Sequence, residues 1–203
     1  MTELLLYSSN QSKLTELNKL FEPFSLTIHQ PSDLEVTTGV SETGTTFLEN
    51  AIIKARDGCR QAGLPCVADD SGLFVNAIGK PGVMSARYAG EGANDDDNVN
   101  KLLSELRWHD SATHAASFYC CLVYLRSFDD PMPLIAEGVW HGSIISERSG
   151  SNGFGYDPIF YLPDLKKTVA ELDVEVKMKL SHRAKAGEVL KQKIQIEYQS
   201  DAE

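Results

Sequence analysis

The chain is short of cysteine, of positive charge and of long apolar runs, and each shortage removes a class of protein. Its four cysteines, Cys59, Cys66, Cys120 and Cys121, have neither C-x-x-C spacing nor the density of a small disulfide scaffold. Free thiols in a reducing compartment are expected, and no zinc site is suggested. Only 19 lysines and arginines stand against 29 aspartates and glutamates, a formal charge of −10. A general nucleic-acid binder, or a protein that docks on acidic membranes, needs a broad positive field, so neither partner is expected. A small anionic ligand is still admitted where a few cations cluster. No apolar stretch approaches the ~20 residues that span a bilayer, and Met1 to Ser9 has no basic flank or cleavage-like segment. The expectation is a cytoplasmic protein.

What is present reads as alternating strands and helices. Leu4-Leu5-Leu6-Tyr7 is a short apolar run suited to a buried strand, and after Ser8-Ser9-Asn10 come Leu14, Leu17, Leu20 and Phe21 at helical spacing. Thr46 followed by Glu49 fits a capping box, and Phe47, Ala51, Ala55, Cys59 and Ala62 recur on one face of a helix ending near Gly63. Cys66-Val67-Ala68 predicts a buried strand that stops in a turn at Asp69-Asp70-Ser71-Gly72 before Leu73-Phe74-Val75 resumes, which puts the acids at a strand end. Asn94-Asp95-Asp96-Asp97 precedes Val99, Leu102, Leu103 and Leu106, so those acids read as a helix N-terminus without a catalytic role. Two long strands, Ser117 to Arg126 and Leu134 to Ile145, form a hairpin across Asp129-Asp130-Pro131. An irregular stretch from Gly150 to Pro158 leads to a helix from near Ser181 toward Ile194, with a frayed tail after about Ile196. There is no repeat and no low-complexity linker. The expected fold is one α/β domain over residues 1–203: a mixed, bent central sheet flanked by helices, in two lobes with a cleft between.

Five features have the chemistry of a site, each with a plainer alternative. Ser8-Ser9-Asn10-Gln11-Ser12-Lys13 occupies a strand-to-helix turn, where free amides and the helix dipole favour a phosphate; capping of the helix by Ser9 or Asn10 explains it as well. The Walker pattern is absent. Asp69 and Asp70 are adjacent carboxylates that resist joint ionisation unless a cation offsets them, and Mg²⁺ needs only one or two acids besides a polyphosphate. Glu42 is a candidate third carboxylate, and a solvated turn is the alternative. Phe154-Gly155-Tyr156-Asp157 offers aromatics for stacking on a nucleobase, or a buried aromatic corner. Lys177, Lys179, His182 and Arg183 gather donors near the start of the last helix, or line a solvated face. Lys54, four residues after Asn50, is placed opposite the Phe47-Ala51-Ala55 stripe, exposed or facing a cleft.

Taken in order, S-S-N-Q-S-K, S-E-T-G-T-T-F-x-E-N-A, A-D-D-S-G-L, S-A-R-Y, F-G-Y-D-P-I-F and S-H-R resemble the inosine triphosphate pyrophosphatase family, over about residues 4 to 194. The resemblance implies a homodimeric, Mg²⁺-dependent α/β enzyme that converts ITP, dITP and XTP to monophosphate and pyrophosphate. It implies that Ser8, Ser9, Asn10, Gln11, Ser12 and Lys13 hold the triphosphate, that Lys54 contacts phosphate, and that Glu42, Asp69 and Asp70 surround the metal. Asp70 is then the general base, and Ser71 contacts substrate. Phe154, Gly155, Tyr156 and Asp157 would embrace the base, with Lys177, His182 and Arg183 completing that pocket. Donors from His182, Arg183 or backbone would pair the purine 6-oxo group and leave adenine unsatisfied. The first motif departs from the family's usual Thr-Gly-Asn, and Ser12 also stands where glycine is common, which bears on the loop's conformation.

Overall fold

The computed structural model describes residues 3–22, 26–109 and 113–200. Its strands are β1 (Glu3–Tyr7), β2 (Thr27–His29), β3 (Cys66–Val75), β4 (Lys80–Pro81), β5 (Thr113–Leu125), β6 (Leu134–Ile145), β7 (Phe160–Leu162) and β8 (Lys167–Thr168). Its helices are α1 (Gln11–Phe21), α2 (Phe47–Ala62), α3 (Asp95–Leu106), α4 (Val174–Leu180) and α5 (His182–Ser200). The strand order is β2-β1-β3-β5-β6-β7-β8, with β4 beside β3. β1 runs parallel to β2 and β3, whereas β4, β7 and β8 pair antiparallel, so the sheet is mixed as expected.

The chain packs as two compact units: Met1–Asp70, Cys120–Gly138 and Arg183–Glu203 form the first, and Ser71–Tyr119 with Val139–His182 the second. In the first, side chains alternate across the strands. Leu4 and Leu6 of β1 and Val67 of β3 join Leu14 and Leu17 of α1 and Ala186, Leu190 and Ile194 of α5 in one core. Leu5, Tyr7 and Cys66 point the other way, against α2, where Gly58 is small because a Cβ would come within 2.6 Å of the Cys66 Sγ. Helices α1 and α5 therefore cover one face and α2 the other. The second unit has its own core, in which Leu73, Val75, Val99, Leu102, Phe118, Trp140, Tyr156 and Phe160 pack together.

The capping box of α2 is present, with Thr46 and Glu49 exchanging bonds and the helix ending at Gly63. All four cysteines are buried and unbridged. Two differences from expectation matter. β3 is one continuous strand of ten residues, with no turn at the acids. Gly72 is explained instead by a close approach: a Cβ there would press on Ser85 and on the Gly82 carbonyl at 2.6 Å. The Ser85 hydroxyl pins this stretch by accepting from the Leu73 amide. Helix α4 was not anticipated because it has no apolar stripe; Val174, Val176 and Leu180 are exposed and its buried residue is Lys177. Helix α5 continues to Ser200, and residues 201–203 of the tail expected to fray lie outside the described residues.

Candidate active site

In the first unit the pairing of β1 with β3 ends at Tyr7↔Ala68, so Asp69 and Asp70 lie just beyond the end of β1, where the Ser8–Lys13 turn begins. Successive residues of a strand face opposite ways, and this separates the two acids. Asp69 projects toward α1 and α5, meeting Lys13 at 2.9 Å and Arg183 at 3.3 Å. Asp70 projects toward α2, meeting Lys54 at 2.7 Å. Asn50 donates to Asp70 from one turn before Lys54 and accepts the Gly44 amide at 2.8 Å, tying the Glu42 loop to the same spot. Glu42 itself reaches Lys54 at 3.2 Å.

Lys54 is thus not exposed. It stands two helical turns after Phe47 and one after Asn50, which places it on their face rather than opposite. Its side chain is 11% accessible, held by two carboxylates. Arg183 is buried and pairs with Glu16 and Asp69.

The electrostatics divide the acids. Burial alone would raise the Asp69 pKa, but attraction from Lys13, Arg183 and Lys54 outweighs it and holds the carboxyl well below the ordinary range. For Asp70 burial prevails over Lys54, and its pKa is raised. One acid is held as an anion, and its neighbour has a raised pKa. Glu16, Glu42, Asp69 and Asp70 pair with Lys13, Lys54 and Arg183, so these cations meet carboxylates rather than forming the positive cluster expected for a polyphosphate. Asp70 and Glu42 already converge on one ammonium, and two acids with phosphate oxygens suit Mg²⁺. Asp69, committed to Lys13 and Arg183, suits it less.

In the Ser8–Lys13 turn the capping reading holds, through Asn10. Asn10 caps α1 by accepting the Lys13 amide at 3.1 Å, while Gln11 and Ser12 begin the helix with N-terminal amides suited to an anion. Ser8 accepts the Asn10 amide at 3.2 Å. Neither Ser9 nor Ser12 has a positive φ, so the replaced glycines cost the loop nothing in backbone strain.

In the second unit the residues read as a base pocket separate into two groups. Phe154 is half-buried, with the Lys177 ammonium 4.5 Å from its ring centre. Asp157 accepts from Lys177 at 2.6 Å and from the Phe154 amide at 3.0 Å. Tyr156 instead packs in the core and donates its hydroxyl to the Ser85 carbonyl at 2.9 Å; burial raises its pKa. The aromatic-corner reading holds for Tyr156, whereas Phe154 lies outside that core. His182 stacks on Phe118 at 5.0 Å, and Phe118 leans on Phe160 at 4.3 Å. Ser71 is half-buried at the start of this unit, and Lys179 is exposed on α4.

Sequence reasoning missed Asn50, Glu16 and Phe118. Asn50 and Glu16 had a signal: each lies one helical turn from an assigned cation, Lys54 or Lys13. Phe118 lay within an apolar strand and had none.

Comparison with known proteins gives the family. The Ham1 family model matches residues 4–193. The dITP/XTP pyrophosphatase of Shigella flexneri is 48% identical over 191 residues, covering 94% of this chain and 96% of that one. That of Coxiella burnetii is 46% identical over 191 residues, with 94% and 95% coverage. Among solved structures, a HAM1 protein from Coxiella burnetii superposes with a TM-score of 0.89 at 45% identity, covering 96% of this chain and 99% of that one. The Staphylococcus aureus Ham1 protein gives 0.85 at 38%, with 97% and 100% coverage. By its sequence over nearly the whole length and by its fold, the chain belongs to the Ham1 family.

Proposed function

We propose that the protein hydrolyses non-canonical purine nucleoside triphosphates (ITP, dITP and XTP) to the monophosphate and pyrophosphate. The observation that carries this is the division of two adjacent carboxylates to opposite faces of β3, one held anionic by Lys13 and Arg183 and the other left basic beside Lys54. Asp70 takes a proton from water as its oxygen attacks the α-phosphorus. The bond from that phosphorus to the bridging oxygen breaks, and pyrophosphate leaves with the electron pair. Lys54 and Lys13, with the first amides of α1, offset charge on the phosphates. Asp70 and Glu42 are the residues that would hold Mg²⁺, which when bound supplies charge neutralisation on the phosphate oxygens. Phe154 stacks on the base, and Lys177 and His182 donate to its 6-oxo group.

The family reading also carries a homodimer and a cytoplasmic location. Four unbridged thiols support the second, and no helix among the described residues is long and apolar enough to cross a membrane. Sedimentation of the full chain tests the first. The activity is tested with Mg²⁺ and a panel of ITP, dITP, XTP, ATP and GTP, separating pyrophosphate from orthophosphate. Pyrophosphate released preferentially from the first three is the expected result; orthophosphate from the γ position, or equal rates on ITP and ATP, would overturn it.

A further inference from the structure

The acidic run at the start of α3 does more than complement a helix dipole, because its three carboxylates have three different partners. Asp97 closes a capping box, accepting the Asn94 amide at 3.0 Å. Asp96 lies 3.6 Å from the Arg148 guanidinium. Asp95 reaches across to the loop that carries Phe154 and accepts the Gly155 amide at 2.7 Å. A helix N-terminus is served by any of these acids, so dipole complementarity does not explain why one of them holds a residue sixty positions away.

The loop needs such a hold. Its beginning is fastened by the Ser151 and Asn152 amides, which donate to the Ala170 carbonyl at 3.1 and 3.0 Å. Its end is fastened by Asp157, which accepts the Phe154 amide. Between them Gly155 adopts a left-handed backbone, with φ of +61°. A cavity of about 540 Å³ lies against Phe154 and Gly155 on the side of α3's first turn, so this part of the loop is not seated on packed core. Adjacent amides, of Phe154 and Gly155, are thereby held by carboxylates from two different elements.

We propose that Asp95 is a positioning residue for nucleobase selection: by holding the Gly155 amide it sets the height of the neighbouring Phe154 ring. The inference rests on the base-binding reading of this loop given above. Asp95 is not among the residues proposed above to hold phosphate or metal, so its effect is expected on the base.

The test compares Asp95→Ala and Asp95→Asn with Asp96→Ala, which removes the same charge from the same helix end. Asp95→Ala is expected to raise KM for ITP and to reduce the kcat/KM preference for ITP over ATP, each by about tenfold, the scale of one lost charge-assisted hydrogen bond. Inhibition by inorganic tripolyphosphate, a ligand without a base, stays unchanged. Asp95→Asn, whose amide oxygen still accepts, restores most of the preference, and Asp96→Ala keeps it. Hydrogen exchange of the Gly155 amide, measured by NMR without nucleotide, accelerates in Asp95→Ala alone. An ITP:ATP ratio as high in Asp95→Ala as in Asp96→Ala overturns the proposal. So does a parallel weakening toward tripolyphosphate, or unchanged exchange at Gly155. A wild-type enzyme that releases no pyrophosphate from ITP would instead overturn the functional reading, and the exchange measurement would still report on the Asp95 tether.

Discussion

In the first unit four carboxylates and three cations share a network whose members sit mainly on helix turns and adjacent positions of a strand. In the second, the buried ion pair Lys177–Asp157 stands beside a loop whose course depends on left-handed glycines and hydrogen bonds to backbone amides. The first arrangement fixes its groups by secondary structure, as a reaction at phosphorus requires, because misplacing a base or a cation by an ångström forfeits much of the rate. On the reading proposed above, the second arrangement is where a flat ring is read and a few well-aimed donors decide between bases.

The comparison is sharpest at the paired acids. Asp70→Asn is expected to lower kcat by about 10²–10⁴, the range for loss of a general base, while leaving the melting temperature unchanged or slightly higher. Removing a buried charge whose pKa is already raised relieves a desolvation cost. Asp69→Asn should do the reverse in its physical origin, leaving Arg183 and Lys13 without their shared anion and costing about 3–5 kcal/mol of stability. The pH dependence follows from the signs. A carboxylate with a depressed folded pKa contributes stability that is full above its unfolded value, about 3.9, and is lost as pH falls through the folded value. The gap in melting temperature between wild type and Asp69→Asn therefore narrows on acidification below about pH 4. Asp70, raised, must lose its proton to act, so kcat rises with pH through that group's titration. If both variants lost activity and stability alike, the division of labour between the two acids would be wrong.

A smaller effect separates the two halves of the chemistry. Phe154→Ala should raise KM for ITP about tenfold, the scale of one lost base-stacking contact, with kcat and the Mg²⁺ requirement little changed in steady-state kinetics. A fall in kcat as large as that of Asp70→Asn would remove the distinction. The smallest effect belongs to Tyr156→Phe. Losing the hydroxyl that donates to the Ser85 carbonyl should cost about 1 kcal/mol in a denaturant melt, with the ITP:ATP ratio intact. A changed ratio would return Tyr156 to the base pocket.

Much of this was legible in the sequence because the signals are local. The capping box at Thr46 and Glu49, the apolar spacing of Leu14 and Leu17, and the motif order all depend on near neighbours in the chain. What escaped was set at long range. The Asp69-Asp70-Ser71-Gly72 string has the composition of a turn, but Lys13, Arg183 and Lys54 neutralise the acids and Ser85 occupies the space beside Gly72, so the strand continues. The S-H-R motif puts His182 and Arg183 side by side, but as the first residues of a helix they diverge by about 100° around it, and the ion pairs of Arg183 with Glu16 and Asp69 depend on residues distant in the chain. Tyr156 and Phe154, two apart in one motif, met opposite fates because only one of them found a buried carbonyl.

The uninterrupted course of β3 also bears on how the gene for such a protein can change. Substitutions on one side of the strand are felt by α1 and α5, and those on the other side by α2, so point mutations can be tolerated or rejected face by face. Deletion or insertion of a single codon between Cys66 and Asp69 is different in kind. It would exchange the faces of both acids at once, presenting the basic carboxylate to Arg183 and the fixed one to Lys54. Length variation in this family should therefore be excluded from those few codons and accumulate in the loops on either side.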